Sequence, residues 1–160
     1  MKRLIPKLML MLMSICIFHL SSFAQSNEQI ANDLMAMVKA EWAADIANAP
    51  MADQMKSYAD DYTEFSNDYA TRVDGKSANM AIGEANSKDP THRVSAQMLN
   101  PKVQVYGDCA ILTYNYAGVV QDATGATKPV RAKSTRVFVK QNGKWMLVHA
   151  NFASDPVPGQ

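Results

Sequence analysis

Apolar residues recur at Ile30, Leu34, Val38, Trp42 and Ile46, with Met37 widening the line. Four-residue spacing keeps them on one side of a helix, so the pattern predicts a long amphipathic helix over 27–48. Ser26 and Gln29 form a capping box in sequence, with the serine as cap and the glutamine reaching back. Pro50 suits the first turn of a second helix, where a missing N–H costs nothing. Met51, Met55 and Tyr58 would supply its apolar face, and Asp60-Asp61 its end. Tyr62 to Arg72 reads as a short irregular strand or hairpin, broken at Asn67-Asp68, with a turn at Asp74-Gly75. Ser77 to Ala85 predicts a short helix with Met80 and Ile82 buried, closed by Asp89-Pro90.

From Arg93 onward the period changes from helical to alternating. Strands are predicted over 93–106, interrupted at Asn100-Pro101, and over 109–121, 127–140 and 144–154. Gly107-Asp108, Asp122 to Gly125 and Gln141-Asn142-Gly143 are the turns between them, the last being the strongest hairpin signal in the chain. Pro129 inside a strand run points to an edge position or a bulge. Sequential hairpins with helices gathered at the N-terminal side predict the α+β class, with an antiparallel meander. In the last strand, plain alternation puts Trp145, Leu147, His149 and Asn151 on one face and Met146, Val148, Ala150 and Phe152 on the other. Both faces are largely apolar, where a sheet packed on one side alternates apolar with polar. Helices can cover one face, and a second copy of the chain is the simplest cover for the other.

The first 24 residues have another pattern. Lys2, Arg3 and Lys7 precede an apolar run from Leu8 to Leu20, and small residues follow at Ser22 and Ala24. That is the layout of a cleavable secretory signal, and the run falls short of the ~20 residues a membrane span needs. The expected organisation is a signal over 1–24, one domain over 25–155 and a disordered tail over 156–160 containing Pro156 and Pro158. The product is expected outside the cytoplasm, in the periplasm or the medium, with no membrane attachment after cleavage. Cleavage removes three of the 16 basic residues and none of the 15 acidic ones, leaving a net charge of −2. A near-neutral domain of that kind lacks the clustered positive charge that nucleic-acid binding requires. Cys109 alone survives processing, so no internal disulfide is expected and a buried, inert thiol is. His92 and His149 are too far apart in sequence to suggest a metal-ligand set, and no metal or cofactor is expected.

Several short motifs in order carry a resemblance. They are Leu99-Asn100-Pro101, Gly107-Asp108, Ala110, Thr113-Tyr114, Thr135-Arg136-Val137, Gly143-Lys144-Trp145, Val148-His149 and Ser154. Together with the Trp42 helix and the segment from Asp61-Tyr62 to Asp74-Gly75-Lys76, they resemble the association (hub) domain of calcium/calmodulin-dependent protein kinase II. More broadly the chain resembles the nuclear-transport-factor-2-like superfamily, with its ketosteroid-isomerase-like and polyketide-cyclase-like members. The resemblance implies a curved sheet wrapped around the long N-terminal helix, a cone with an open pocket, and homodimers or larger rings packed through the outer sheet face. It also implies several pocket arginines, of which only Arg136 is matched. Tyr116 falls near another such position, and Asn151-Phe152-Ala153 offers none.

Two functions fit. One is a non-catalytic exported module that self-associates and binds a small organic carboxylate or aromatic ligand. The other is an acid–base enzyme of the isomerase or cyclase kind, which needs a tuned carboxylate and a donor for a developing oxyanion. The catalytic candidates are Asp61 as base, Tyr114 as donor and His149 as acid or base. The wider ligand-binding set is Trp42, Tyr62, Tyr114, Tyr116, Arg136, His149 and Asn151. Alternation places Tyr114 and Tyr116 on one face, which Arg136 can share from the neighbouring strand. Each has a plainer role open to it: Asp60-Asp61 as a solvated helix end, His149 as a hydrogen-bonded core residue, and Arg136 paired with a helix-side acid such as Asp61.

Overall fold

The computed structural model describes residues 25–155; the signal and tail expectations lie outside the described residues. Helix α1 (Asn27–Ile46) is followed by a single helical turn α2 (Met51–Gln54), strand β1 (Tyr58–Phe65), the two-residue β2 (Val73–Asp74) and helix α3 (Lys76–Asn86). Four long strands complete the chain: β3 (His92–Tyr106), β4 (Cys109–Gln121), β5 (Thr127–Gln141) and β6 (Lys144–Ser154). The class is α+β, with one curved, open sheet in the order β2-β1-β6-β5-β4-β3.

Helix α1 begins as its sequence dictates. Ser26 Oγ accepts from the Gln29 backbone N–H at 3.1 Å, satisfying one of the free donors of the first turn. The Gln29 side chain does not reach back but donates to Asp33, so half of the capping box is realised. Ile30, Leu34, Val38 and Trp42 are buried, whereas Ile46 at the helix end is exposed. The helix packs on β3 and β4, and Met51 and Met80 from α2 and α3 join the same core, with Leu112, Phe138 and Leu147 from the sheet. All three helices therefore lie on one face.

The expected second helix stops after one turn. From Tyr58 the chain is a strand, because Tyr58, Ala59 and Tyr62 bury themselves beside β6. That pairing is parallel, so the sheet is mixed, with antiparallel pairing everywhere else. The interruption at Asn100-Pro101 is a register shift inside β3 that leaves the strand intact, with Asn100 at φ 50°. Pro129 lies beyond the last β5–β6 pair, Ala132↔Ser154, so its missing N–H faces no partner strand on that side.

A second register shift, between Val137 and Phe138, decides where the residues of β6 point. Phe138 pairs with Leu147 and Val137 with His149, which leaves Val148 as the extra residue of a bulge. Plain alternation therefore fails after Leu147. Trp145, Leu147 and Ala150 are buried on the helix side with Phe152 packed beside them, while His149 and Asn151 fall on the outer face.

That outer face carries Ile111, Val137, Val139, Met146 and Val148, all half-buried among neighbouring strands. Cys109 also lies there, half-buried and free, where a buried thiol was expected. Among the described residues no element packs over this face.

Candidate functional site

The helix-side face of the sheet is concave and leaves a cavity of about 360 Å³ beside α1. Tyr114 and Tyr116 of β4 and Arg136 of β5 reach it by alternation. Trp42 from α1 meets both tyrosine rings edge-on, at 5.6 Å from Tyr114 and 5.4 Å from Tyr116. Phe152, Val130 and Ala132 extend this apolar wall. The strand end Glu64 and the turn Ser66 to Asp68 form the opposite rim.

Arg136 is 2% exposed, and each of its three nitrogens already donates one hydrogen bond. Nη1 and Nη2 donate to the two oxygens of Glu41, at 2.6 and 3.1 Å, and Nε donates to the Tyr114 hydroxyl at 3.0 Å. Burial works against the guanidinium charge, but Glu41, Tyr58 and Tyr114 outweigh it and hold the group charged. The expectation of a helix-side acid for Arg136 holds, with Glu41 in that place and not Asp61. A bidentate pair of this kind fixes both side chains and leaves no free guanidinium edge for a ligand carboxylate.

Glu64 is the second carboxyl of the cavity. It accepts from the Tyr62 hydroxyl at 2.7 Å. Burial pushes its pKa up, against the lowering effects of the Tyr62 hydrogen bond and Arg136. The same burial, with the neighbouring charge of Glu64, raises the Tyr62 hydroxyl far above its ordinary value. At the mouth, Arg93 stacks over Tyr116 at 5.1 Å, and its Nε lies 3.2 Å from Asp45, close enough for attraction but poorly aimed for a hydrogen bond.

The expected site residues divide. Trp42, Tyr114, Tyr116 and Arg136 line the cavity, and Tyr62 touches it through Glu64. Asp61, His149 and Asn151 do not line it. Asp61 is exposed on β1. His149 is carried to the outer face by the bulge at Val148; its Nδ1 lies 2.8 Å from Thr63 Oγ1 and its ring meets Phe65 edge-on. Glu41 and Glu64 were missed. Glu41 looks like a solvated helix residue, and its one signal is its place three residues after buried Val38. Glu64 stands two residues after buried Tyr62, on the same side of β1.

The family model described as the calcium/calmodulin-dependent protein kinase II association domain matches residues 31–156. The chain belongs to this association-domain family. The delta subunit of calcium/calmodulin-dependent protein kinase type II from Oryctolagus cuniculus is 32% identical over 71 residues, which is 44% of this chain but 13% of that protein. The association domain of the kinase from C. elegans superposes with a TM-score of 0.66 at 20% identity, over 82% of this chain and all of that one. A nuclear-transport-factor-2-like protein of Salmonella enterica serovar Typhimurium gives a TM-score of 0.69 at 15% identity, over 84% of this chain and 96% of that one. At these identities the structural likenesses show the fold. Against the arginine-rich pocket that the resemblance implied, this association domain keeps Arg136 and neutralises it internally with Glu41.

Proposed function

We propose that this association domain is exported and self-assembles through the outer face of its sheet, while its concave face holds a small ligand. The observation that carries the assembly reading is the apolar outer face. Ile111 and Val137 are directly paired there, Val139 and Met146 continue the stripe, and no described element lies over them. A contiguous apolar patch of that kind marks an association surface, and closed symmetric pairing of identical faces is the commonest way to cover one. The family description, an association domain, supports the same reading. Export rests on the charged, apolar and small-residue segments of residues 1–24. Ligand binding rests on the size and aromatic lining of the cavity, which sits at the small end of the range for small-molecule sites.

Val137→Glu places a charge at the centre of the proposed contact without touching the inner core. By sedimentation velocity the parent protein is expected to run as a dimer or larger, and the variant as a monomer with an unchanged circular dichroism spectrum. A parent protein that is monomeric at tens of micromolar would sink the assembly reading.

A further inference from the structure

Three arginines, Arg93, Arg131 and Arg136, and three acids, Glu41, Glu64 and Asp68, line the cavity, so what matters is which of them are already engaged. Arg136, the one deeply buried cation at its floor, is held by both oxygens of Glu41 and by the Tyr114 hydroxyl. A ligand carboxylate arriving there meets Glu41 already in place. Arg93, at the mouth, is stacked on Tyr116 and drawn to Asp45 without a hydrogen bond at its Nε, and Arg131 is exposed on the rim, where water screens it. Glu64 stands differently. The ion pairs among the described residues are Arg72–Asp74, Arg93–Asp45, Lys133–Asp155 and Arg136–Glu41, and none includes Glu64. Among the described residues its one side-chain hydrogen-bond donor is the Tyr62 hydroxyl, which satisfies a single oxygen. Asp68 on the same rim adds to the negative potential.

We propose that the cavity takes a small organic amine in its ammonium form, carried on a flat apolar body, with Glu64 as its charge partner. The inference rests on the reading of this cavity as a ligand site. An ammonium supplies the charge-assisted hydrogen bonds that Glu64 lacks, roughly twice as strong as neutral ones. The flat body lies against the aromatic wall of Trp42 and Tyr114; the rings of Tyr116 and Phe152 beside them already carry Arg93 and Arg136 at 5.1 and 5.3 Å. The burial that raises the Glu64 pKa sets the pH behaviour. Binding favours the ionised carboxylate, so affinity rises with pH through the range above the ordinary carboxylate value and falls again as the amine loses its proton.

The test is calorimetry on the purified protein with three probes of one shape: 2-phenylethylamine, 2-phenylethanol and 3-phenylpropionate. The amine is expected to bind at least tenfold tighter than either of the others. Glu64→Gln keeps an acceptor for Tyr62, and it is expected to lose at least tenfold in amine affinity with its melting temperature held or raised. If that variant does not fold, the rise of parent affinity from pH 5 to pH 7 reads the same linkage. Tighter binding of the carboxylate, or amine affinity indifferent to Glu64→Gln and to pH, overturns the inference and leaves the cavity a ligand site of another chemistry. Absence of binding by all three probes overturns both the inference and the ligand part of the proposed function; the sedimentation result on Val137→Glu is independent of either.

Discussion

Arg136 shows how one residue can be placed correctly by sequence and still change its meaning in the fold. Alternation along β5 brings it to the cavity beside Tyr114, as expected. Its place in the sequence fits a ligand-binding cation or the partner of a helix-side acid. With Glu41 bound to it at 2.6 Å and only 3% of its side chain exposed, it is first a clamp between α1 and the sheet. Removing one partner of a buried pair leaves the other charge stranded. Arg136→Ala is therefore expected to lower the free energy of unfolding by about 3 kcal/mol, measured by urea titration at neutral pH. Glu41→Gln should fall short of that loss, because an amide keeps one acceptor for the guanidinium. An Arg136→Ala protein as stable as the parent would return Arg136 to the ligand. Glu41 itself was not legible: a glutamate on the polar side of an amphipathic helix gives no sign of a partner 95 positions away. Trp42, Tyr114 and Tyr116 were legible because strand and helix periods alone aim large aromatics at a common core.

At the scale of elements, the four long strands and both longer helices follow their sequence patterns closely, since hairpin turns and apolar spacing are local signals. The failure is at α2 and β1. Met51, Met55 and Tyr58 have acceptable helical spacing, and only the presence of β6, some 90 residues downstream, makes Tyr58–Phe65 a strand. Non-local pairing overrides a weak local preference. The β4 strand offers a sharper test of packing. A side chain at Gly118 would collide with the Tyr116 hydroxyl and crowd the Ser95 carbonyl across the β3–β4 ladder. The absence of a Cβ at 118 is what lets the Tyr116 ring lie flat along its own strand and form half of the wall against Trp42. Gly118→Ala is expected to cost about 1–3 kcal/mol by forcing that ring to move, seen in urea denaturation together with a change in tryptophan fluorescence. An unchanged spectrum and midpoint would mean that Tyr116 is not fixed in this way.

Among the described residues the fold is one-sided: helices lie on the concave face, and the apolar patch of the convex face has no element over it. Its class and the need for a cover were legible from the doubly apolar last strand. The identity of residues on each face was not, because a bulge leaves no mark in a sequence of apolar and polar letters. Export belongs to this scale as well. Expression with residues 1–24 intact in a secreting host is expected to give a product beginning at Gln25, by intact mass and N-terminal sequencing. A product that stays in the cytoplasm with Met1 or Lys2 at its start would remove the export reading.

The extra residue at Val148 has a consequence for how such a domain can change. A strand in strict alternation ties each position to one side of the sheet, so a new use for a side chain requires a new side chain. Where a strand carries a bulge, losing that residue exchanges the surroundings of everything beyond it without a single substitution. Deletion of one residue at 148 would send His149 and Asn151 to the cavity and Ala150 and Phe152 to the outer face. An insertion or deletion of one codon can thus trade interior chemistry for contact surface in one step, and in the last strand that trade would reach the cavity.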